Sequence, residues 1–207
     1  RYKIDFCTNL AMTQGCQVID QTASQTNWSG QNTQSNTAYT SGTQATYTTP
    51  TLLTSGTTYY WRSYVKDPAG TDTWSSTQAA PYSFTTSNRP NKTTQSAPVN
   101  NVTGVALSPS FTLVSTDSDN DYLRYKIVLC EDATMSLAAG CQVIDQTVSQ
   151  TGWSGQNTQS NTAYTSGTTA TYTVQTPLTA GTSYWWYSYA IDPGGSNAWS
   201  DMLLLPS

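Results

Sequence analysis

Three aspartates stand at alternate positions in Asp117-Ser118-Asp119-Asn120-Asp121, the densest acidic patch of a chain with only 12 acidic residues in 207. Carboxylates spaced this way in a loop supply hard oxygen ligands for Ca²⁺, which makes Asp117, Asp119 and Asp121 the candidate metal ligands and calcium the one candidate cofactor. The competing reading is a turn between two strands, capped by its own Asp and Asn side chains. Four cysteines form two matched pairs, Cys7 with Cys16 and Cys130 with Cys141. Zinc would need close Cys-x-x-Cys pairs or His, and a reactive thiol would need a base; the chain has no His. Each pair falls between a strand and a repeated phrase, so a local disulfide across a hairpin is expected. That places the chain in an oxidising, extracellular or cell-surface setting. Catalysis finds little to work with. Without His there is no Ser–His or Cys–His nucleophile. Paired acids for glycoside chemistry must face a common cleft, whereas Asp20 and Asp145 stand alone and Asp67 and Asp192 read as turn formers. The sequence reads as non-enzymatic.

Aromatic side chains are the second candidate. There are 14 Tyr and seven Trp against three Phe. Flat rings stack on sugars and also make protein interfaces. Trp28 and Trp153 read first as plugs over one end of each domain and second as sugar-stacking faces. Trp185, Tyr187 and Tyr189 are expected to form an outward stripe, whose first-choice partner is a neighbouring module or subunit. Glycans are a further candidate partner: Asn27-Trp28-Ser29, Asn91-Lys92-Thr93 and Asn101-Val102-Thr103 match the N-glycosylation sequon.

The elements that position these residues are strands. Tyr, Trp, Thr and Val suit a pleated, half-buried surface, and Glu, a helix former, occurs once, at Glu131. Aromatics recurring at period two argue for an ordered β-sandwich rather than disorder. A net charge of −4 with no basic run excludes nucleic acid and anionic membranes as partners. No apolar run of membrane-spanning length is present.

The chain also repeats itself. The stretch GCQVIDQTASQTNWSGQNTQSNTAYTSGTQATYT begins at Gly15 and returns from Gly140 with three of 34 positions changed: Ala23 to Val148, Asn27 to Gly152, Gln44 to Thr169. RYKIDFC at Arg1 returns as RYKIVLC at Arg124, and LTSGTTYYWRSYVKDPAGTDTWS at Leu53 as LTAGTSYWWYSYAIDPGGSNAWS at Leu178. Two tandem modules follow from this. In the first, Tyr59, Trp61, Ser63 and Val65 are expected to face inward; in the second, Tyr184, Trp186, Ser188 and Ala190.

A Leu six residues before a Tyr, with Gly between, entering an alternating strand and followed by Asp-Pro and Trp-Ser, resembles the end of a fibronectin type III domain. The resemblance covers the last third of each copy, and tandem domains of this look are similar to those of large bacterial surface proteins. It implies two tandem antiparallel β-sandwiches. It also implies that Tyr59 and Tyr184 make tyrosine corners, their hydroxyls bonding back to the upstream backbone. The expected layout is a module over 1–87, a polar, Pro-bounded linker over 88–97 and a second module over 98–207. Residues 96–116 supply the two early strands of the second module, Tyr122 to Cys130 the next, and Met202–Leu205 its end. The first module starts at its third strand and lacks counterparts of the first two. A cut window from a longer array is the preferred explanation and strand donation from a neighbouring chain the alternative. Near-verbatim repetition favours a structural segment of an extracellular array, stalk or filament, associating with copies of itself or with adjacent modules. The alternative is a carbohydrate-binding surface module that uses its exposed Trp and Tyr.

Overall fold

The computed structural model of the chain describes residues 1–32, 38–76, 78–136, 140–157 and 162–201, and these form β-strands with no helix. The chain divides into two compact units, Arg1–Thr86 and Ser87–Ser207. In the first unit β1 (Tyr2–Cys7), β2 (Gln17–Asp20), β5 (Thr58–Val65) and β6 (Tyr82–Thr85) make an antiparallel sheet in the order β2-β1-β5-β6. The short strands β3 (Trp28–Ser29) and β4 (Thr46–Tyr47) pair with each other.

The second unit repeats the β2-β1-β5 part of this sheet and adds a second one. Its strands are β7 (Thr94–Ala97), β8 (Ser110–Val114), β9 (Arg124–Cys130), β10 (Gln142–Asp145), β11 (Trp153–Ser154), β12 (Ala170–Thr173) and β13 (Trp185–Ile191). They form a three-stranded sheet, β10-β9-β13, and a four-stranded sheet, β11-β12-β8-β7. Phe111, Leu113, Trp153, Ala170 and Tyr172 from the second sheet meet Tyr125, Ile127, Leu129 and Ala190 from the first in one core. The Phe111 and Trp186 rings join the two sheets edge to face at 4.8 Å.

In the first unit β4 has no partner beyond β3 among the described residues, whereas its counterpart β12 pairs with β8. The consequence is read in side-chain exposure. Tyr125, Ile127, Tyr164 and Ala170 are all 0% exposed, while their repeat counterparts Tyr2, Ile4, Tyr39 and Ala45 are only half-buried. Val65, expected to face inward, is 43% exposed; the layer it would meet is not formed by the described residues of this unit.

Two expectations are corrected. Residues 88–97 are not a free linker: Thr94–Ala97 form β7, paired with β8, and the buried Thr93 hydroxyl contacts Ser188 Oγ at 2.7 Å. The polar composition that suggested a linker satisfies the buried Ser188 instead. The stripe on β13 is not uniformly outward either. Trp185 is 41% exposed, but Tyr187 is 8% exposed and Tyr189 half-buried. Tyr187 and Tyr189 pack with Val128, Met135 and the Cys130–Cys141 disulfide in a second small cluster on the opposite side of the sheet. Met202–Leu205 lie outside the described residues.

Both expected disulfides form, Cys7–Cys16 and Cys130–Cys141, closing loops of sequence separation 9 and 11. Closing so short a loop contributes about 2.5–3 kcal/mol on the chain-entropy account. They point to an oxidising compartment. Burial pushes the Tyr125 phenol up to about 12 and also raises Tyr164, with the neighbouring Tyr125 adding to the effect there. A phenol whose folded pKa exceeds its ordinary value of 10.0 leaves stability intact below that pH and removes it as pH rises towards 12. Absorbance titration at 295 nm is therefore expected to show two classes of tyrosine. The late class should ionise together with loss of near-UV circular dichroism from the second unit.

Candidate functional site

The polar groups of the repeated phrase bond mainly within their own unit. After β2 and β10 the chain turns on Asp20 and Asp145. Thr22 Oγ1 donates to Asp20 Oδ1 at 2.6 Å and Thr147 Oγ1 to Asp145 Oδ1 at 2.6 Å, so each carboxylate caps its own turn. Burial raises the Asp145 carboxyl, but the Thr147 bonds and Lys126, whose Nζ lies 3.0 Å away, outweigh it and hold the group below its usual range. The next residue is the centre of the arrangement. Gln21 and Gln146 are 0% exposed. Gln146 Oε1 accepts from Tyr125 N at 2.9 Å while Gln146 N donates to Tyr125 O at 3.0 Å, so one residue continues the β-ladder with both backbone and side chain. Gln146 Nε2 donates to Thr162 O at 2.8 Å and to Gln150 Oε1 at 3.1 Å. The first copy builds the same bridge from Gln21 to Tyr2 N, at 2.9 Å, and to Gln25.

Further along, Trp28 and Trp153 are 8% and 7% exposed and Tyr39 and Tyr164 donate to Ser29 O and Ser154 O, each at 2.8 Å. Trp153 stacks against Tyr125 and packs on Tyr164 and Tyr172. Neither Trp presents a face to a sugar. Of the three positions that differ between copies, two lie on the surface, and at the third the copies differ in the space allowed: a Cβ at Gly152 would come within 2.8 Å of Thr173 O. Ala23/Val148 and Gln44/Thr169 are exposed, and Asn27/Gly152 has a left-handed backbone, φ 65° and 83°, which Asn and Gly both tolerate.

At the two tyrosines singled out by the resemblance, Thr54 N donates to Tyr59 Oη at 3.0 Å and Thr179 N to Tyr184 Oη at 3.0 Å. Tyr184 also donates to Glu131 Oε1 at 2.9 Å.

An aromatic depression of about 380 Å³ lies on the outer side of the β10-β9-β13 sheet, lined by Lys126, Val128, Val143, Tyr187, Tyr189 and Trp199. Lys126 Nζ sits 3.9 Å from the Trp199 ring centre, and the Tyr187 and Tyr189 rings meet edge to face. The Trp199 face is thus already taken by a cation from within the unit. Lys3 lies over the Tyr64 ring in the first unit at 4.1 Å. The pairing was not foreseen, although a Lys and a Trp recurring at matched positions (Lys3/Lys126, Trp74/Trp199) were available as its signal.

The acidic loop does close. Asp117, Asp119 and Asp121 bring oxygens within 4.8 Å of one another. Asp117 is 4% exposed; its Oδ1 accepts from Asp119 N at 2.8 Å, and its Oδ2 is enclosed with no hydrogen-bond partner among the described residues. Burial raises its carboxyl, with Asp192 and Asp121 nearby adding to the rise. Asp119 is fully open and is held below the usual carboxylate range by hydrogen bonds from the backbone and side chain of Asn88 and from Ser87. Compared with known proteins, the chain matches no family model and no curated protein. It is an all-β protein of small antiparallel sheets with two disulfides.

Proposed function

We propose that the chain is a structural segment of an extracellular repeat array, a stalk or filament on a microbial cell surface, built from tandem fibronectin type III-like β-sandwiches. It is non-enzymatic, and its partners are adjacent modules or further copies of itself. One observation carries this reading: in the polar phrase repeated almost verbatim, Asp20/Asp145 and Thr22/Thr147 close turns, Gln21/Gln146 bridge the ladder end, and Trp28/Trp153 are buried within each unit. A phrase used this way is copied because the unit needs it. The tyrosine hydroxyl bonds and the two sheets closing on one core in the second unit support the sandwich assignment. A second reading, carbohydrate binding, is favoured only by the depression beside Trp199 and by the exposed Trp185. A glycan array probed with the full chain separates the two readings. No specific signal is expected; saturable micromolar binding to one sugar, lost in Trp185→Ala or Trp199→Ala, would overturn the structural assignment.

A further inference from the structure

We propose that the loop Asp117–Asp121 is a calcium site in which Asp117, Asp119 and Asp121 are the protein ligands and Ser87 Oγ a neighbouring oxygen donor. Two oxygens bound to one Ca²⁺ at 2.3–2.6 Å lie at most about 5 Å apart. The three carboxylates meet that limit, all within 4.8 Å of one another. Mg²⁺, with ligands at about 2.0–2.1 Å in a strict octahedron, fits so wide a cluster less well.

Spacing alone would not carry the assignment, since acidic turns are common. Asp117 adds an independent observation. It is 4% exposed, and its Oδ2 is enclosed without a hydrogen-bond donor among the described residues. A carboxylate oxygen removed from water without a partner is costly, and a cation supplies the missing one. A second buried carboxylate raises the local negative charge. Asp192 is 0% exposed, and its Oδ2 converges with Asp121 Oδ2 and Ser87 Oγ on the space that a methyl group at Gly195 would fill. Its repeat counterpart Asp67 is exposed. The β13 turn thus encloses a carboxylate in the unit that carries the Asp117–Asp121 loop and leaves it open in the other. Ser87 Oγ lies 3.0 Å from both Asp119 Oδ2 and Asp121 Oδ2. Its single hydrogen serves one of them at a time, and a rotated hydroxyl offers its lone pair to a cation instead.

Isothermal titration of the chelator-treated full chain with CaCl₂ tests the proposal. One site per chain is expected, with a dissociation constant of about 10⁻⁴–10⁻³ M, the range of extracellular modules. Saturating calcium should raise the Tm of the second unit. Asp119→Asn, at an exposed position whose amide oxygen can still accept from Asn88, should weaken binding by about tenfold, and Asp117→Asn by more. Asp132→Asn, an exposed acid elsewhere, should change nothing. No calcium-dependent heat and an unchanged Tm would overturn the site, as would binding that survives Asp119→Asn intact. Magnesium binding as tightly as calcium would overturn the choice of ion.

Discussion

In a calorimetric scan of the full chain the first unit is expected to unfold before the second, with midpoints separated by at least about 10 °C. The strands β1, β2 and β5 and the repeated phrase of the first unit recur in the second, so the difference lies in what covers them. Phe111 and Leu113 of β8 sit at 2% and 0% exposure in the second core, and β8 pairs along β12. The described residues of Arg1–Thr86 contain no strand in that place, and Tyr2, Ile4, Tyr39, Ala45 and Tyr47 stay half-exposed. Full burial of a large apolar side chain contributes about 1.5–3 kcal/mol over leaving it exposed. Half-exposed side chains forgo only part of that, but several at once amount to a sizeable fraction of the usual stability margin of a small domain. Hydrogen exchange followed by peptide mapping assigns the transitions: amides of β1 and β5 should exchange well ahead of those of β9 and β13. A single transition, or the reverse order, would show that the half-exposed face carries no penalty.

The second large effect is at Gln146. Gln146→Met keeps the length and approximate volume of the side chain but removes both polar ends. It leaves the Tyr125 N–H and the Thr162 carbonyl, now bonded at 2.9 and 2.8 Å, without those partners. A buried donor left unsatisfied costs about 1–3 kcal/mol, and with the second bond lost the expected destabilisation of the second unit is about 3 kcal/mol. Gln21→Met should cost less, about 1 kcal/mol, because Tyr2 is half-exposed and water can replace the lost acceptor. Urea unfolding monitored by fluorescence gives both numbers. Equal effects at the two positions would contradict the exposure difference.

The strands, the disulfides and the turns were legible because they rest on local chemistry: alternation in Tyr2–Cys7, matched cysteine spacing, and Asp-Pro-x-Gly at Asp67 and Asp192. The purpose of the repeated phrase was not legible. Gln is ordinarily a surface residue, so nothing in its identity marks Gln21 and Gln146 as fully buried bridges; only the geometry of the ladder end shows why an amide fits there. Tyr187 misled for a related reason. Period two places it on the outer face, and it is on that face, but the disulfide and Met135 cover it, and covering loops leave no periodic signal. The polar run before β7 resembled a linker because side chains that satisfy a buried Ser188 have the same composition as solvated ones. At the acidic loop the ligand spacing was visible, whereas the enclosure of Asp192 beside it depends on how β13 turns and on Gly195.

The central claim is that the repeated phrase is scaffold and not a ligand-gripping loop. An alanine scan of its second copy in the full chain, reading the unfolding free energy at each position, tests this most directly. The account predicts that losses follow burial and internal bonding, greatest at Gln146, Trp153 and Tyr164 and negligible at Val148 and Thr169, with Val148 already 84% exposed. A scan in which Gln146→Ala and Trp153→Ala leave stability unchanged would contradict it.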